Sequence, residues 1–227
     1  MKHFKNWFGL HLDEVGFRKQ VLASLGGSIA ISLVWIVCNS ALGKAGQLVL
    51  MPSMGATAVL LFAVPHGPLS QPWPVIGGHV ISAFLGVCCM KIIAITPIAA
   101  GLAVGSSIAA MHFFKCLHPP GGATALTAVI GGHSVWNLGF SYVCFPVGLN
   151  AILMVLVAIV FAFAFNGRRY PHRPQRLDKG SYEAEGISHE SVVAAVRSMD
   201  TFLDISEEDL IELHKRMLLE EQRAANK

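Results

Sequence analysis

The stretch VIGGHVISAFLGVCCMKIIAITPIAAGLAVGSSIAAMHFF, residues 75–114, contains one charged side chain, Lys91, in 40 positions. A bilayer core about 30 Å thick accepts one helix of roughly 20 apolar residues, so a run of this length and character reads as two consecutive crossings. The expected spans are 75–95 and 98–114. Working outward, 21–42 and 142–166 have the same character and complete four clear spans, each sufficient with some tilt. Two shorter segments, 47–64 and 119–132, carry Pro and Gly at their starts. They are read either as short full crossings or as re-entrant half-helices.

The rest of the chain agrees with a membrane protein. Hydrophobic residues make up 53% and charged residues 14% of the 227, and mean hydropathy is +0.55, more apolar surface than a soluble domain of this size can hide. Charge is confined to the ends, with Lys2, Lys5, Arg18 and Lys19 before the apolar region and Arg168, Arg169, Arg173, Arg176 and Lys179 after it. Lys and Arg flanking a span mark the cytoplasmic side, so both termini are expected there and the number of crossings is even. The net charge of +3 is thereby topological and gives no reason to expect nucleic acid as a partner. The first apolar run begins near Val21 and is long enough to span, so it is expected to stay in the mature protein. Cys38, Cys88, Cys89, Cys116 and Cys144 all fall in or beside apolar segments without zinc-type spacing, and read as small apolar side chains.

One absence narrows the function. Between Glu14 and Asp178 there is no aspartate or glutamate, and from Gln20 to Asn166 the only formal charges are Lys44, Lys91 and Lys115. A cation stripped of water needs carboxylates to balance it inside a bilayer. An ion that moves through this interior is expected to be an anion.

The apolar region also repeats itself. Pro52-Ser53-Met54-Gly55-Ala56-Thr57-Ala58-Val59 aligns with Pro119-Pro120-Gly121-Gly122-Ala123-Thr124-Ala125-Leu126, and a looser echo sets Pro74-Val75-Ile76-Gly77 against Pro146-Val147-Gly148. Halves of about 70 residues, each with three crossings, would present their second copy inverted, the plan of many transporters. The fold class expected is therefore all-α: a polytopic transmembrane bundle of about six membrane segments in two inverted halves, two of them short or discontinuous, plus a cytoplasmic helical hairpin. Gly78, Ser82 and Gly86 fall four apart on one span and Gly101, Gly105 and Ala109 four apart on the next. Such spacing lets helix backbones touch, either within one subunit or at a homo-oligomer face.

Pro-x-x-Gly-Ala-Thr suits a helix start in mid-membrane, since proline has no amide to leave unpaired and small residues leave the remaining N–H groups open. Such a start holds an anion weakly, through backbone donors and the helix dipole. The candidate substrate-binding residues are Ser53, Gly55, Ala56 and Thr57 from the first copy and Gly121, Gly122, Ala123 and Thr124 from the second, with His118 beside it. His79, Lys115 and His133 are candidates for the pathway. The opposing reading has kinked, tightly packed helices in which each Thr hydroxyl bonds its own helix carbonyl. For His118 the alternatives are an imidazole donating to a small oxyanion, with protonation coupling binding to pH, or a rigid extended entry to the half-helix. Lys91 and Lys115 lie near span ends, where a long side chain can snorkel to the headgroups. His112 and Cys116 are one turn apart but lack further ligands, so no metal and no cofactor are assigned.

These residues carry a resemblance. Cys116-Leu117-His118-Pro119-Pro120-Gly121-Gly122-Ala123-Thr124-Ala125-Leu126 resembles the signature of the HPP family of integral membrane proteins. Gly55-Ala56-Thr57-Ala58-Val59-Leu60-Leu61-Phe62, Gln71-Pro72-Trp73-Pro74-Val75-Ile76-Gly77-Gly78-His79 and Arg168-Arg169-Tyr170-Pro171 are similar to its other recurring stretches, in the same order, over residues 15 to 175. The resemblance implies a polytopic membrane domain and, for members from cyanobacteria and chloroplasts, nitrite transport; the location expected for this chain is a bacterial inner membrane.

Residues 1–19 are thus read as a cytoplasmic segment, 20–166 as the transmembrane domain, 167–186 as a basic Pro-containing linker and 187–227 as a cytoplasmic helical tail. In the tail, Ser206 with Asp209 makes a capping-box start, and Leu210, Leu213, Met217 and Leu218 form an apolar stripe. The function expected is a transporter or channel for a small monovalent anion, nitrite first, with the lipid bilayer and that anion as partners. The alternative is a scaffold or sensor acting through the tail. An enzyme is not expected, because the interior supplies no acid, metal cluster or nucleophile–base set.

Overall fold

A computed structural model describes residues 16–165 and 170–171, with the backbone alone for 40–51. The described residues are helical: α1 (Phe17–Ala63), a 3-10 turn (Pro68–Ser70), α2 (Pro72–Ile92), α3 (Thr96–Phe113), α4 (Pro119–Ile130), the single turn α5 (His133–Trp136), a widened π-type stretch (Val143–Gly148) and α6 (Leu149–Ala164). Four stretches are long and apolar enough to cross a membrane: Phe17–Asn39, Pro72–Ile92, Thr96–Phe113 and Val143–Ala164. They coincide with the four spans expected from hydropathy. The linker beyond Pro171 and the tail helices lie outside the described residues, as does the segment before Gly16.

The first repeat copy departs from expectation. Pro52 does not open a helix; it lies inside α1, which continues through it for 47 residues. At 1.5 Å per residue that is about 70 Å, more than twice the hydrocarbon thickness. The physical reason lies in the connecting segment 39–51, where Ala, Leu, Lys, Gln and Met propagate a helix across the two glycines. The second copy behaves as expected: Pro119 and Pro120 occupy the first turn of α4, after His118 in an extended conformation. A real interruption occurs in the looser echo, where Phe145 is extended (φ −142°, ψ 118°) just ahead of Pro146.

Helix α2 is the hub. It packs against α3 and α4 on one side and against the Val143–Gly148 stretch and α6 on the other, while α1 lies on α6 and α4. The stripe Gly78, Ser82 and Gly86 is buried, and it receives α4. A Cβ added at Gly86 would sit 2.6 Å from the Ala125 carbonyl oxygen, and one at Gly121 would sit 2.7 Å from the Gly78 carbonyl oxygen. The backbones touch there because neither side has a side chain to hold them apart. Gly101 and Gly105, identically spaced on α3, have nothing within 4 Å. The apolar core lies on the α1–α6 side, with Val34, Cys38, Met54, Leu61, Met154 and Phe161 among its members. Cys38 and Asn150 join the first span to the last, the Asn150 amide donating to Cys38 Sγ at 3.1 Å.

The two glycine stripes make opposite predictions. Gly86→Ala is expected to lower stability by about 1–3 kcal/mol, the range for overpacking a filled contact. Gly105→Ala, on an open helix face, is expected to leave stability unchanged or raise it by up to about 1 kcal/mol, the helix-propensity difference. Thermal unfolding of the two variants in the same detergent checks both.

Candidate functional site

Four side chains, three from helices and one from the extended residue ahead of α4, meet in the interior at His79. The ring sits on α2 next to Gly78, where a Cβ would lie 2.6 Å from His118 Cβ and 3.0 Å from the Cys116 carbonyl oxygen. That missing side chain lets His118 approach, so that the two imidazoles stand edge to face with centroids 5.0 Å apart. His79 Nε2 lies 2.8 Å from Thr57 Oγ1 on α1. His79 Nδ1 lies 2.7 Å from Thr124 Oγ1 on α4. Thr57 Oγ1 is also 3.0 Å from His118 Nε2, and His118 Nδ1 is 2.8 Å from the Leu69 carbonyl oxygen in the 3-10 turn. Tyr142 closes the far end, its hydroxyl donating to the Thr124 carbonyl at 3.3 Å. All four of these His and Thr residues are fully buried.

The direction of each bond follows from the last one. A carbonyl has no proton to give, so His118 Nδ1 carries the hydrogen it shares with Leu69, and Nε2 of the neutral ring is an acceptor. Thr57 therefore donates to His118 and accepts from His79 Nε2–H. His79 Nδ1 is left as an acceptor, and Thr124 donates to it. The chain runs one way, Thr124 to His79 to Thr57 to His118 to Leu69, and satisfies both ring nitrogens of both histidines. Each threonine also has its own helix carbonyl in reach: Ser53 O at 2.9 Å from Thr57 and Pro120 O at 3.3 Å from Thr124. The two readings of these threonines thus coexist in one geometry, with a back-bonding carbonyl on one side and a cross-helix partner on the other.

The structure brings together Thr57, Thr124, His118 and His79, with Ser53 and Gly121 buried around them. Gly55, Gly122 and Ala123 are partly covered, while Ala56, Lys115 and His133 are exposed. His133 lies apart, its ring against Trp136 at 5.2 Å. Lys115, held at φ 54°, lines a cavity of about 280 Å³ with His112, Met111, Leu117, Pro74 and Leu69, the residue whose carbonyl holds His118. Gly122 and Ala123 line a second, apolar hollow of about 560 Å³ with Val104, Ile108 and Leu126.

Sequence reasoning missed Leu69 and Tyr142. The first acts through its backbone and left no signal; the second is a hydroxyl-bearing ring at the entry to an otherwise apolar span. Tyr170, read as linker, is buried, and its hydroxyl donates to the Ser70 carbonyl at 3.0 Å. Burial pushes its phenol well above the ordinary range, so it remains a donor. Burial also pushes the Cys116 thiol up, keeping it protonated beside Gly77.

A bundle of apolar helices around a buried polar cluster is an integral membrane protein. Residues 13–171 match the family described as HPP, transmembrane region, and the chain belongs to it. Two transmembrane proteins of Dictyostelium discoideum are similar: one is 34% identical over 182 residues, covering 75% of this chain and 57% of the relative. The other is 36% identical over 184 residues, covering 75% and 62%. The chain thus spans about three fifths of the length of these curated relatives. No solved structure matches it.

The chain of bonds predicts a stability cost. Thr124→Val keeps the shape of the residue but leaves His79 Nδ1 buried without a donor, and is expected to cost about 1–3 kcal/mol. Thr127→Val, on the half-buried side of the same helix, is expected to change stability by less than about 0.5 kcal/mol. Urea or thermal unfolding in detergent reads the difference.

Proposed function

We propose that the protein is a transporter or channel for a small monovalent anion, with nitrite the first candidate. The observation that carries this reading is the meeting of repeat-related Thr57 and Thr124 on the two nitrogens of His79, in an interior without a single carboxylate. Hydroxyl and imidazole N–H groups recognise an anion without holding it by a full opposite charge, which permits release. The cavity beside Leu69, with Lys115 and His112 in its wall, is large enough for a small oxyanion and offers a cationic approach. Nitrite comes from the resemblance of the His118-Pro119-Pro120 stretch. Both termini are placed on the cytoplasmic side, of the inner membrane in a bacterium, from the flanking Lys and Arg. The second reading is a non-transporting scaffold or sensor, favoured by the full internal satisfaction of the buried cluster.

Uptake into proteoliposomes separates them. Purified protein is expected to carry nitrite saturably, against nitrate, formate, chloride and a cation control. The double variant Thr57→Val/Thr124→Val is expected to lose at least about tenfold of that flux, the equivalent of one hydrogen bond or more. The corresponding double Ser variant, which keeps both hydroxyls, is expected to retain it. Wild-type flux in the Val variant sinks the paired-threonine site. Absence of anion flux in folded wild-type protein shifts the conclusion to the scaffold.

A further inference from the structure

The bond chain has a second solution that differs by one proton. Place a proton on His118 Nε2, and both ring nitrogens become donors, Nδ1–H to Leu69 O at 2.8 Å and Nε2–H to Thr57 Oγ1 at 3.0 Å. The Thr57 hydroxyl then turns its hydrogen to Ser53 O, already 2.9 Å away. Its oxygen accepts from both His118 and His79, using two lone pairs. No heavy atom has to move and no partner is lost. The equivalent step at His79 is poorer, because Thr124 would have to turn to Pro120 O at 3.3 Å. Two protons at once would set two cations 5.0 Å apart, so the cluster holds one.

What faces His118 leaves that proton without a counter-charge. Helix α1 contributes the hydroxyls of Ser53 and Thr57; α2 contributes His79; α4 contributes Thr124. Cys116 presents a carbonyl and a protonated thiol to α2, and Tyr142 and Tyr170 donate to the Thr124 and Ser70 carbonyls. The exposed Lys115 and the His112 ring stand at the cavity beyond Leu69. The described residues include no aspartate or glutamate. A lone cation in such surroundings is costly, and a mobile anion is what can offset it.

We infer that His118 and Thr57 form a proton-binding site that loads one proton together with the anion, so that the pair moves as an electroneutral load. The inference rests on the proposed anion transport and adds its coupling ion. The proton passes from hydronium, whose O–H bond breaks, to His118 Nε2, and returns from the same atom to water on release; the accompanying change is the turn of the Thr57 hydroxyl hydrogen from His118 to Ser53 O. In the neutral state every hydroxyl and imidazole hydrogen is committed within the chain; the N–H added on protonation is itself taken by Thr57 Oγ1, so what protonation supplies for the anion to meet is a positive charge.

Two measurements test it separately from transport. Imidazole ¹⁵N NMR of the full chain in lipid nanodiscs, between about pH 4 and 7, a window carried below the ordinary histidine range because burial disfavours the charged ring, is expected to show one ring gaining a second N–H when nitrite is added. That signal is expected to vanish in His118→Gln and in Thr57→Val, and to persist in Thr57→Ser. Neither ring gaining a proton with nitrite at any pH in this window overturns the inference, whether or not flux exists. In proteoliposomes with the potential clamped by valinomycin and potassium, an acid exterior is expected to drive nitrite entry and lumen acidification beyond protein-free vesicles, equally at zero and inside-negative potential. The protein-free vesicles subtract permeation of nitrous acid through lipid, and nitrate, whose acid is fully ionised, reports protein-borne entry alone. Entry that follows potential and ignores the pH gradient overturns proton coupling and leaves anion transport standing. No entry of either anion, with the NMR signal present, removes the transport reading and upholds the proton site.

Discussion

A neutral imidazole has one donor and one acceptor, and His79 uses both between threonines from different helices. This doubly used ring ties α1, α2 and α4 together in a fully buried region, where an unpaired polar atom costs several times what a paired one contributes. Everything around it follows from the need to bring partners within 3 Å. Gly78 has no side chain because His118 stands where it would be, and Gly121 has none because the Gly78 carbonyl does. The extended backbone of His118, restricted by the prolines that follow, aims its Nδ1 at the Leu69 carbonyl and its Nε2 at Thr57.

Much of this was legible in the residues, and the limits are physical. Four spans could be read from apolar length alone, because the bilayer imposes a length that hydropathy reports directly. The threonines could be singled out by the repeat, which places them at matching positions. What could not be read was that they meet at a third residue outside the repeat motif: His79 belongs to a span whose register against α1 and α4 is set by contacts between distant segments. The helix start expected at Pro52 failed for a local reason, since the residues before it favour helix and one lost amide bond does not end a helix that its neighbours support. The two glycine stripes show the same limit from another side. Their spacing is identical, yet Gly86 meets a backbone and Gly105 meets nothing.

The absent carboxylates also gain a meaning from the geometry that composition alone did not supply. In the sequence they argued against a cation pathway. Among the described residues they leave the histidine cluster without a fixed negative charge to hold it protonated, so on the proposed reading its charge state depends on what arrives. A buried Asp near His118 would create a permanent ion pair, and an anion would then find the positive charge already neutralised. An interior of hydroxyls, carbonyls and two imidazoles keeps that charge available.

The closed packing of the cluster is consistent with such a role. A site that offers hydrogen atoms permanently to an empty space in the bilayer would leave them unsatisfied, whereas here Thr57 and Thr124 each have a fallback carbonyl one helical turn back. A threonine that can exchange an imidazole for its own helix carbonyl at 2.9 Å can release a partner without becoming an orphan. The hydroxyl rotation is local and involves no backbone change, so the polarity of the chain can reverse at Thr57 while the glycine contacts between α2 and α4 stay in place. The rigid contact and the adaptable one are thus built from different residues: Gly78, Gly86 and Gly121 hold the distance, and Thr57 adjusts the hydrogen bonds across it.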